Sequence, residues 1–134
     1  MDLSLVLLAA GIGRATPYDS YNFISAKDLK NRLDGESSKI IIDICPVEQF
    51  AKGHIKGSIE TNAYPVKTKE EKARLDEYLP KLKESSDDVV IVCPRGAGGA
   101  KRAFDFYSTN GVKKNRLLIL EKGMGGWPYE TEKK

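Results

Sequence analysis

The stretch that decides the fold is Val89-Val90-Ile91-Val92-Cys93-Pro94-Arg95-Gly96-Ala97-Gly98-Gly99-Ala100. Its run of β-branched apolar residues predicts a strand buried on both faces, which is typical of the centre of a parallel sheet. The proline and the glycines after the cysteine end that strand. An apolar stripe at helical spacing follows, formed by Ala100, Ala103, Phe104 and Tyr107. The sequence therefore predicts a strand, a cysteine, a glycine-rich loop and a helix, in that order.

Cys93 stands where such a loop begins. A loop between a strand and a helix directs backbone N–H groups inward, and the helix start adds partial positive charge. Glycines allow the positive φ values with which a loop closes around an anion. These groups favour the thiolate, and Arg95, Lys101 and Arg102 add positive charge nearby. Cys93 is therefore predicted to be a nucleophile or a sulfur carrier, and the alternative is a buried, unreactive cysteine.

Length and composition limit the possible classes of protein. The 134 residues suffice for one domain with a core, expected over residues 21–134 after an apolar segment and linker at residues 1–20. The net charge of +3 favours small anions, and no basic cluster interleaved with aromatic residues suggests nucleic-acid binding. With two cysteines and one histidine, and no Cys-x-x-Cys motif, neither a zinc site nor a cofactor is expected.

The apolar run Leu3–Gly13 is too short to cross a membrane as a helix. Its length suits the core of an export signal, but Asp2 precedes it and no Lys or Arg does, unlike an intact signal peptide. One interpretation is the remnant of an export signal, which slightly favours an exported or periplasmic location. The other is a helix packed on the domain or on a partner. If the protein associates with a membrane at all, the contact is expected only through this run.

The rest of the chain alternates between predicted strands and helices, which is typical of an α/β sandwich with a parallel sheet. Four further strands are predicted at Tyr21–Ile24, Lys39–Cys45, Ser58–Asn62 and Arg116–Leu120. Pro46 is predicted at the first position of a short helix. Pro80 is predicted to break or kink the charged helix that opens with the capping box at Thr68.

Three motifs, in order, resemble the rhodanese-like (sulfurtransferase) domain family. They are Ile42-Asp43-Ile44 with the segment Pro46–Ser58, the strand ending in Cys93 with its loop, and the glycine- and tryptophan-containing segment Leu120–Trp127. Together they cover roughly residues 21–129. The resemblance implies a three-layer sandwich with a central five-stranded parallel sheet flanked by helices, and an active loop at the strand ends.

The resemblance also implies a function. Cys93 would accept a sulfane sulfur from an anionic donor such as thiosulfate, polysulfide or mercaptopyruvate, and pass it from a persulfide to a thiol, cyanide or a protein acceptor. The loop that would bind the substrate comprises Pro94, Arg95, Gly96, Ala97, Gly98 and Gly99, and the N–H groups of residues 95–99 would hold the outer sulfur. Two departures stand out. Cys45 takes the place of a usual arginine, and Gly98 and Gly99 replace a common arginine and serine, so an open, flexible loop is expected.

Five further residues are candidate supporting groups. Asp43 is expected to be hydrogen-bonded and to orient the active loop or the turn around His54, since an isolated buried carboxylate is costly. Cys45 is either a small apolar residue or a thiol that attacks the persulfide or pairs with the loop cysteine. His54 is expected to bond to the backbone, with a catalytic base as the alternative. Met124 and Trp127 are either core residues or part of the pocket wall.

Two other functions stay open. One is a non-catalytic module that binds a protein partner, although such inactive domains often lack the cysteine that this chain retains, or a carrier that stores sulfur without turnover and needs the same Cys93. A cysteine phosphatase or arsenate reductase would place an arginine six positions after the cysteine. That position is Gly99 here, and the nearest later arginine is Arg102.

Overall fold

The computed structural model describes residues 21–35 and 37–134, and their centre is a single parallel sheet. Its strands are β1 (Phe23–Ile24), β2 (Lys39–Asp43), β3 (Ile59–Glu60), β4 (Asp88–Val92) and β5 (Leu117–Leu120). They lie side by side in the order β1-β5-β4-β2-β3. The predicted five-stranded parallel sheet is confirmed. The interpretations of the segment Leu3–Gly13 fall outside the described residues.

Helices cover both faces of the sheet. They are α1 (Ala26–Asp34), α2 (Val47–Lys52), α3 (Lys69–Asp76), α4 (Leu79–Glu84) and α5 (Gly98–Thr109), with 3-10 turns at Lys114–Arg116 and Met124–Gly126. Pro80 lies in the first turn of α4, where its missing N–H is harmless, so α3 and α4 are separate helices. Pro46 is the N-cap of α2 and not its first helical residue. None of the described helices is long and apolar enough to cross a membrane.

β4 is the central strand. It pairs with β2 from Lys39↔Asp88 to Asp43↔Val92, and with β5 on its other side. Side chains alternate across the sheet, so one set packs in a cluster with α5 and the other set packs with Leu29 of α1. Cys93 belongs to the α5 cluster, whereas Val92 belongs to the α1 cluster. Because all strands are parallel, the loops after β2, β4 and β5 leave the same edge of the sheet.

Candidate functional site

Cys93 follows β4 directly and lies at the base of the glycine-rich loop. Its side chain is 1% exposed, and its Sγ accepts a hydrogen bond from the backbone N–H of Gly96 at 2.8 Å. Gly96 has φ of +70°, the left-handed conformation that returns the chain toward the sulfur. A buried thiolate needs such a donor, because the apolar surroundings otherwise oppose its charge. The loop therefore turns a main-chain donor onto the sulfur atom.

The N-terminus of α5 follows directly after this loop. The helix begins at Gly98, two residues after the amide that contacts Sγ. The N–H groups of its first turn have no acceptor within the helix, and the helix carries partial positive charge at this end. Of the residues predicted to bind the donor, Pro94 to Ala97 form the turn between the sulfur and the helix, and Gly98 and Gly99 are the first two residues of α5.

A second loop, residues 121–127, holds the first one in place, and we call it the C-terminal loop. The N–H of Met124 donates to the carbonyl of Cys93 at 2.8 Å, and the N–H of Gly125 donates to the carbonyl of Pro94 at 2.9 Å. Gly123 lies so close that an added Cβ would be 2.1 Å from the Cys93 carbonyl oxygen. This close approach requires glycine. The C-terminal loop therefore fixes the backbone that carries the thiol.

The side chains of Met124 and Trp127 face away from that contact. Both are half-buried and pack against the α1 cluster, whereas Cys93 belongs to the cluster on the α5 side of the sheet. Trp127 also lines a surface cavity of about 430 Å³ together with Ile55. The C-terminal loop approaches the cysteine with its backbone.

Two side chains pack beside the glycines of the loop, of which Gly99 is buried and Gly98 is exposed. An added Cβ at Gly99 would be 2.7 Å from the ring of Tyr64, and one at Gly98 would be 3.0 Å from Nη1 of Arg102. Arg102 lies four residues after Gly98, which puts the two on one helix face. Its Nε donates to the carbonyl of Pro65 at 2.8 Å. The glycines make room for a tyrosine and an arginine.

The other two cations near the loop are placed differently. Nζ of Lys101 lies 5.4 Å from the centre of the Tyr21 ring, on the outer side of α5. Arg95 is exposed on the loop. Of the three cations that the sequence suggests for donor binding, Arg102 is the one that packs over the first turn of α5.

Asp43 is fully buried at the end of β2. Its Oδ1 accepts the N–H of Cys45 at 2.8 Å, and its backbone carbonyl accepts both the N–H and the hydroxyl of Thr61. Burial raises the pKa of this carboxyl, and the hydrogen bonds to Cys45 act in the opposite direction. Asp43 therefore fixes the turn that follows β2, beside the active loop.

Cys45 is a buried thiol at that turn. Burial raises the pKa of Cys45 well above its ordinary range, and the neighbouring carboxylate of Asp43 raises it further. Both cysteines are free thiols. The ladder continues past Asp43↔Val92, since the N–H of Ile44 donates to the carbonyl of Val92, so Cys93 stands opposite Ile44 and not opposite Cys45.

His54 lies after α2, and backbone contacts hold it there. Its Nδ1 is 2.9 Å from the carbonyl oxygen of Phe50, and its ring stacks on that of Phe50 with the centroids 3.9 Å apart. Its backbone pairs with that of Glu132. These contacts agree with the interpretation of a structural histidine bonded to the backbone.

Comparison with known proteins adds a family. The sequence profile of the rhodanese-like domain matches residues 25–129. The adenylyltransferase and sulfurtransferase UBA4 of Candida albicans is 31% identical over 86 residues, which are 63% of this chain and 19% of that protein. The chain thus spans about a fifth of the length of this curated relative.

Solved structures share the fold. The rhodanese-like domain of an Anabaena protein superposes with a TM-score of 0.61 at 18% identity, covering 86% of this chain and 81% of that one. A Saccharomyces cerevisiae protein, a homologue of single-domain rhodanese and of the Cdc25 phosphatase catalytic domain, superposes with a TM-score of 0.66 at 15% identity, covering 80% and 79%. At these identities the likeness concerns the fold.

Proposed function

This chain belongs to the rhodanese-like domain family, and on that premise we propose that it is a sulfurtransferase that works through a persulfide on Cys93. The observation that carries the proposal is the 2.8 Å hydrogen bond from the Gly96 N–H to Sγ, directly before α5. It supplies a fixed donor for negative charge on the first sulfur. The free N–H groups of the helix start lie next along the chain, where a second sulfur would be held.

The reaction takes two displacements at sulfur. The Cys93 thiolate attacks the outer sulfur of thiosulfate, the S–S bond of the donor breaks, and sulfite leaves with the electron pair. The product is the anion Cys93–S–S⁻. In the second step a nucleophile such as cyanide attacks the outer sulfur, thiocyanate leaves, and the Cys93 thiolate is restored. Two displacements through a covalent intermediate replace one direct transfer between donor and acceptor.

The proposal is tested by intact mass. After treatment with thiosulfate, and separately with polysulfide, the wild type should gain the mass of one sulfur, and Cys93→Ala should gain none. Cys45→Ala is the matched control, since it removes the other buried thiol and should still gain one sulfur. A gain that persists in Cys93→Ala and is lost in Cys45→Ala would overturn the assignment of the nucleophile.

Turnover separates an enzyme from a carrier. We expect catalysed thiocyanate formation from thiosulfate and cyanide, dependent on Cys93. A persulfide that forms once per chain and is not discharged by cyanide or thiols would instead identify a sulfur carrier.

Cysteine-dependent chemistry on an oxyanion, as in a phosphatase or an arsenate reductase, is a second candidate. The observation that favours it is the Arg102 guanidinium over Gly98, since a clamp on phosphate or arsenate needs an arginine near the thiolate. Hydrolysis of an aryl phosphate, abolished by Cys93→Ser, would support this candidate over sulfur transfer.

A further inference from the structure

We propose that Arg102 is the residue that recognises the oxyanion group of the donor, so that the site prefers sulfane sulfur attached to a sulfonate-like or carboxylate-bearing group. For the identity of the reaction, this inference rests on the proposed function. The recognition of the anion depends on the position of Arg102 alone.

The guanidinium of Arg102 is held in one orientation. Its Nε donates to the carbonyl of Pro65 at 2.8 Å, and its Nη1 and Nη2 face Gly98, at 3.0 and 3.4 Å from the position of an added Cβ. The lack of a side chain at Gly98 is what permits this approach. A planar guanidinium fixed through one nitrogen presents its other N–H groups as a fork, the geometry that binds an oxyanion through two hydrogen bonds.

The fork is not used by the protein itself. Among residues 21–35 and 37–134, no acceptor for Nη1 or Nη2 of Arg102 is found, and no carboxylate forms an ion pair with them. The acid nearest on α5, Asp105, accepts hydrogen bonds from the hydroxyl of Tyr21 at 2.9 and 3.1 Å. Four donors of a partly buried arginine are therefore left for solvent or a ligand.

The fork lies at the end of α5 that follows the loop around Cys93. Gly98 is the first residue of α5, at the helix end that follows the loop around Sγ. In a donor such as thiosulfate, the negative oxygens are two bonds away from the outer sulfur that is transferred. Main-chain N–H groups would hold the sulfur, and Arg102 would hold the oxygens.

Solvent has access to this arginine. Arg102 also lines a surface cavity of about 300 Å³, together with Val66 and Phe106. The ring of Tyr64 covers the neighbouring Gly99 and is 38% exposed. Lys101, in contrast, is turned toward Tyr21 and serves as a matched control.

The test compares a charged and a neutral reagent on the same thiol. Iodoacetate, which is an anion, and iodoacetamide, which is neutral, react with a thiolate by the same displacement. A change in the thiolate fraction or in the exposure of the loop alters both rates at Cys93 equally, so the ratio of the two rates reports anion recognition. In a Cys45→Ala background, Arg102→Gln should lower the iodoacetate-to-iodoacetamide ratio about tenfold, the effect of losing hydrogen bonds to a charged group. Lys101→Gln should change it less than about twofold, as for a solvated surface charge.

Two results would overturn the proposal. One is an unchanged ratio in Arg102→Gln, and the other is an equal fall in Lys101→Gln, which would indicate a general effect of net charge. A purely structural role for Arg102, through Pro65, would slow both reagents equally and leave the ratio constant.

Steady-state kinetics provide the second readout. With thiosulfate, Arg102→Gln should raise KM about tenfold and change kcat less than about twofold, because binding to the oxyanion is made in the ground state and kept in the transition state. A fall in kcat at constant KM would contradict recognition by Arg102. If the wild type turned over no sulfur donor while the alkylation ratio fell as expected, the proposed function would fail and the anion recognition would stand.

Discussion

Replacing Gly123 by alanine should slow sulfur loading of Cys93, because the C-terminal loop and the active loop pack backbone against backbone. The new methyl would lie 2.1 Å from the Cys93 carbonyl oxygen and 2.6 Å from the Arg95 nitrogen. A Cβ essentially never lies closer than 3.0 Å to another heavy atom. The methyl group and the carbonyl oxygen, at 2.1 Å, must therefore move apart by about 0.9 Å to reach 3.0 Å. A displacement near 1 Å of a reacting group lowers rates about 100-fold.

Stability should fall in the same variant. Overpacking removes about 1–3 kcal/mol from the free energy of unfolding. The φ of +59° at Gly123 adds about 1–2 kcal/mol of backbone strain for an alanine. We therefore expect a loss of about 2–5 kcal/mol for Gly123→Ala. Urea unfolding measures this loss of stability. The rate of sulfur loading is measured by intact mass on the folded fraction, as the gain of one sulfur from thiosulfate in a single turnover.

Gly57→Ala is the matched control. Gly57 has φ of +87°, but no heavy atom lies within 4 Å of an added Cβ. This variant carries the strain of about 1–2 kcal/mol without the steric clash, and its loading rate should equal that of the wild type. Equal stabilities and equal loading rates in the two alanine variants would refute the packing argument.

Three further predictions concern the groups around the thiol. At about pH 8, iodoacetamide should modify Cys93 and leave Cys45 unmodified, since burial and the Asp43 carboxylate raise the pKa of Cys45. Peptide mass spectra of the treated native protein check this. A Cys45 adduct or a Cys45–Cys93 disulfide would contradict it. Burial raises the pKa of Asp43, so native protein holds that proton more tightly than the unfolded chain. The free energy of unfolding of the wild type, relative to that of Asp43→Asn, should therefore fall as the pH rises from 3.8, the ordinary pKa of an aspartate, through the raised pKa. Urea titrations at several pH values measure this difference, and a difference that does not change with pH would refute the prediction. His54→Ala should reduce the free energy of unfolding by about 1–2 kcal/mol, because the contacts with Phe50 are lost. The rate of sulfur loading of Cys93 should change less than about twofold. A pH-dependent loss of sulfur loading would instead identify His54 as a base.

The central elements of the fold could be predicted from local pattern. The β-branched runs at Val89–Val92 and Ile40–Ile42 have no polar face, and only a strand covered on both sides accommodates them. The turn after Cys93 follows from Pro94 and the glycines. These signals lie within a few residues of the structure that they specify.

The filling of the space over the active loop could not be predicted in the same way. Tyr64 comes from a segment distant in sequence, and nothing near Gly99 indicates which side chain will cover it. The approach of Arg102 to Gly98 did have a signal, since residues four apart on a helix face each other. The two glycines therefore indicate where a neighbouring side chain can pack, and only for Arg102 does the sequence also indicate which side chain it is.

The two amides that link the loops also allow the opening of the active loop to be measured by hydrogen exchange. The Met124 and Gly125 N–H groups lie outside every strand, and their acceptors are the carbonyls of Cys93 and Pro94. Their hydrogen exchange with deuterated solvent therefore requires separation of the two loops, and their protection factors measure the free energy of that local opening. Motion of the loop that carries Cys93 can thus be followed at two peptide groups of another segment, with the thiol left unlabelled.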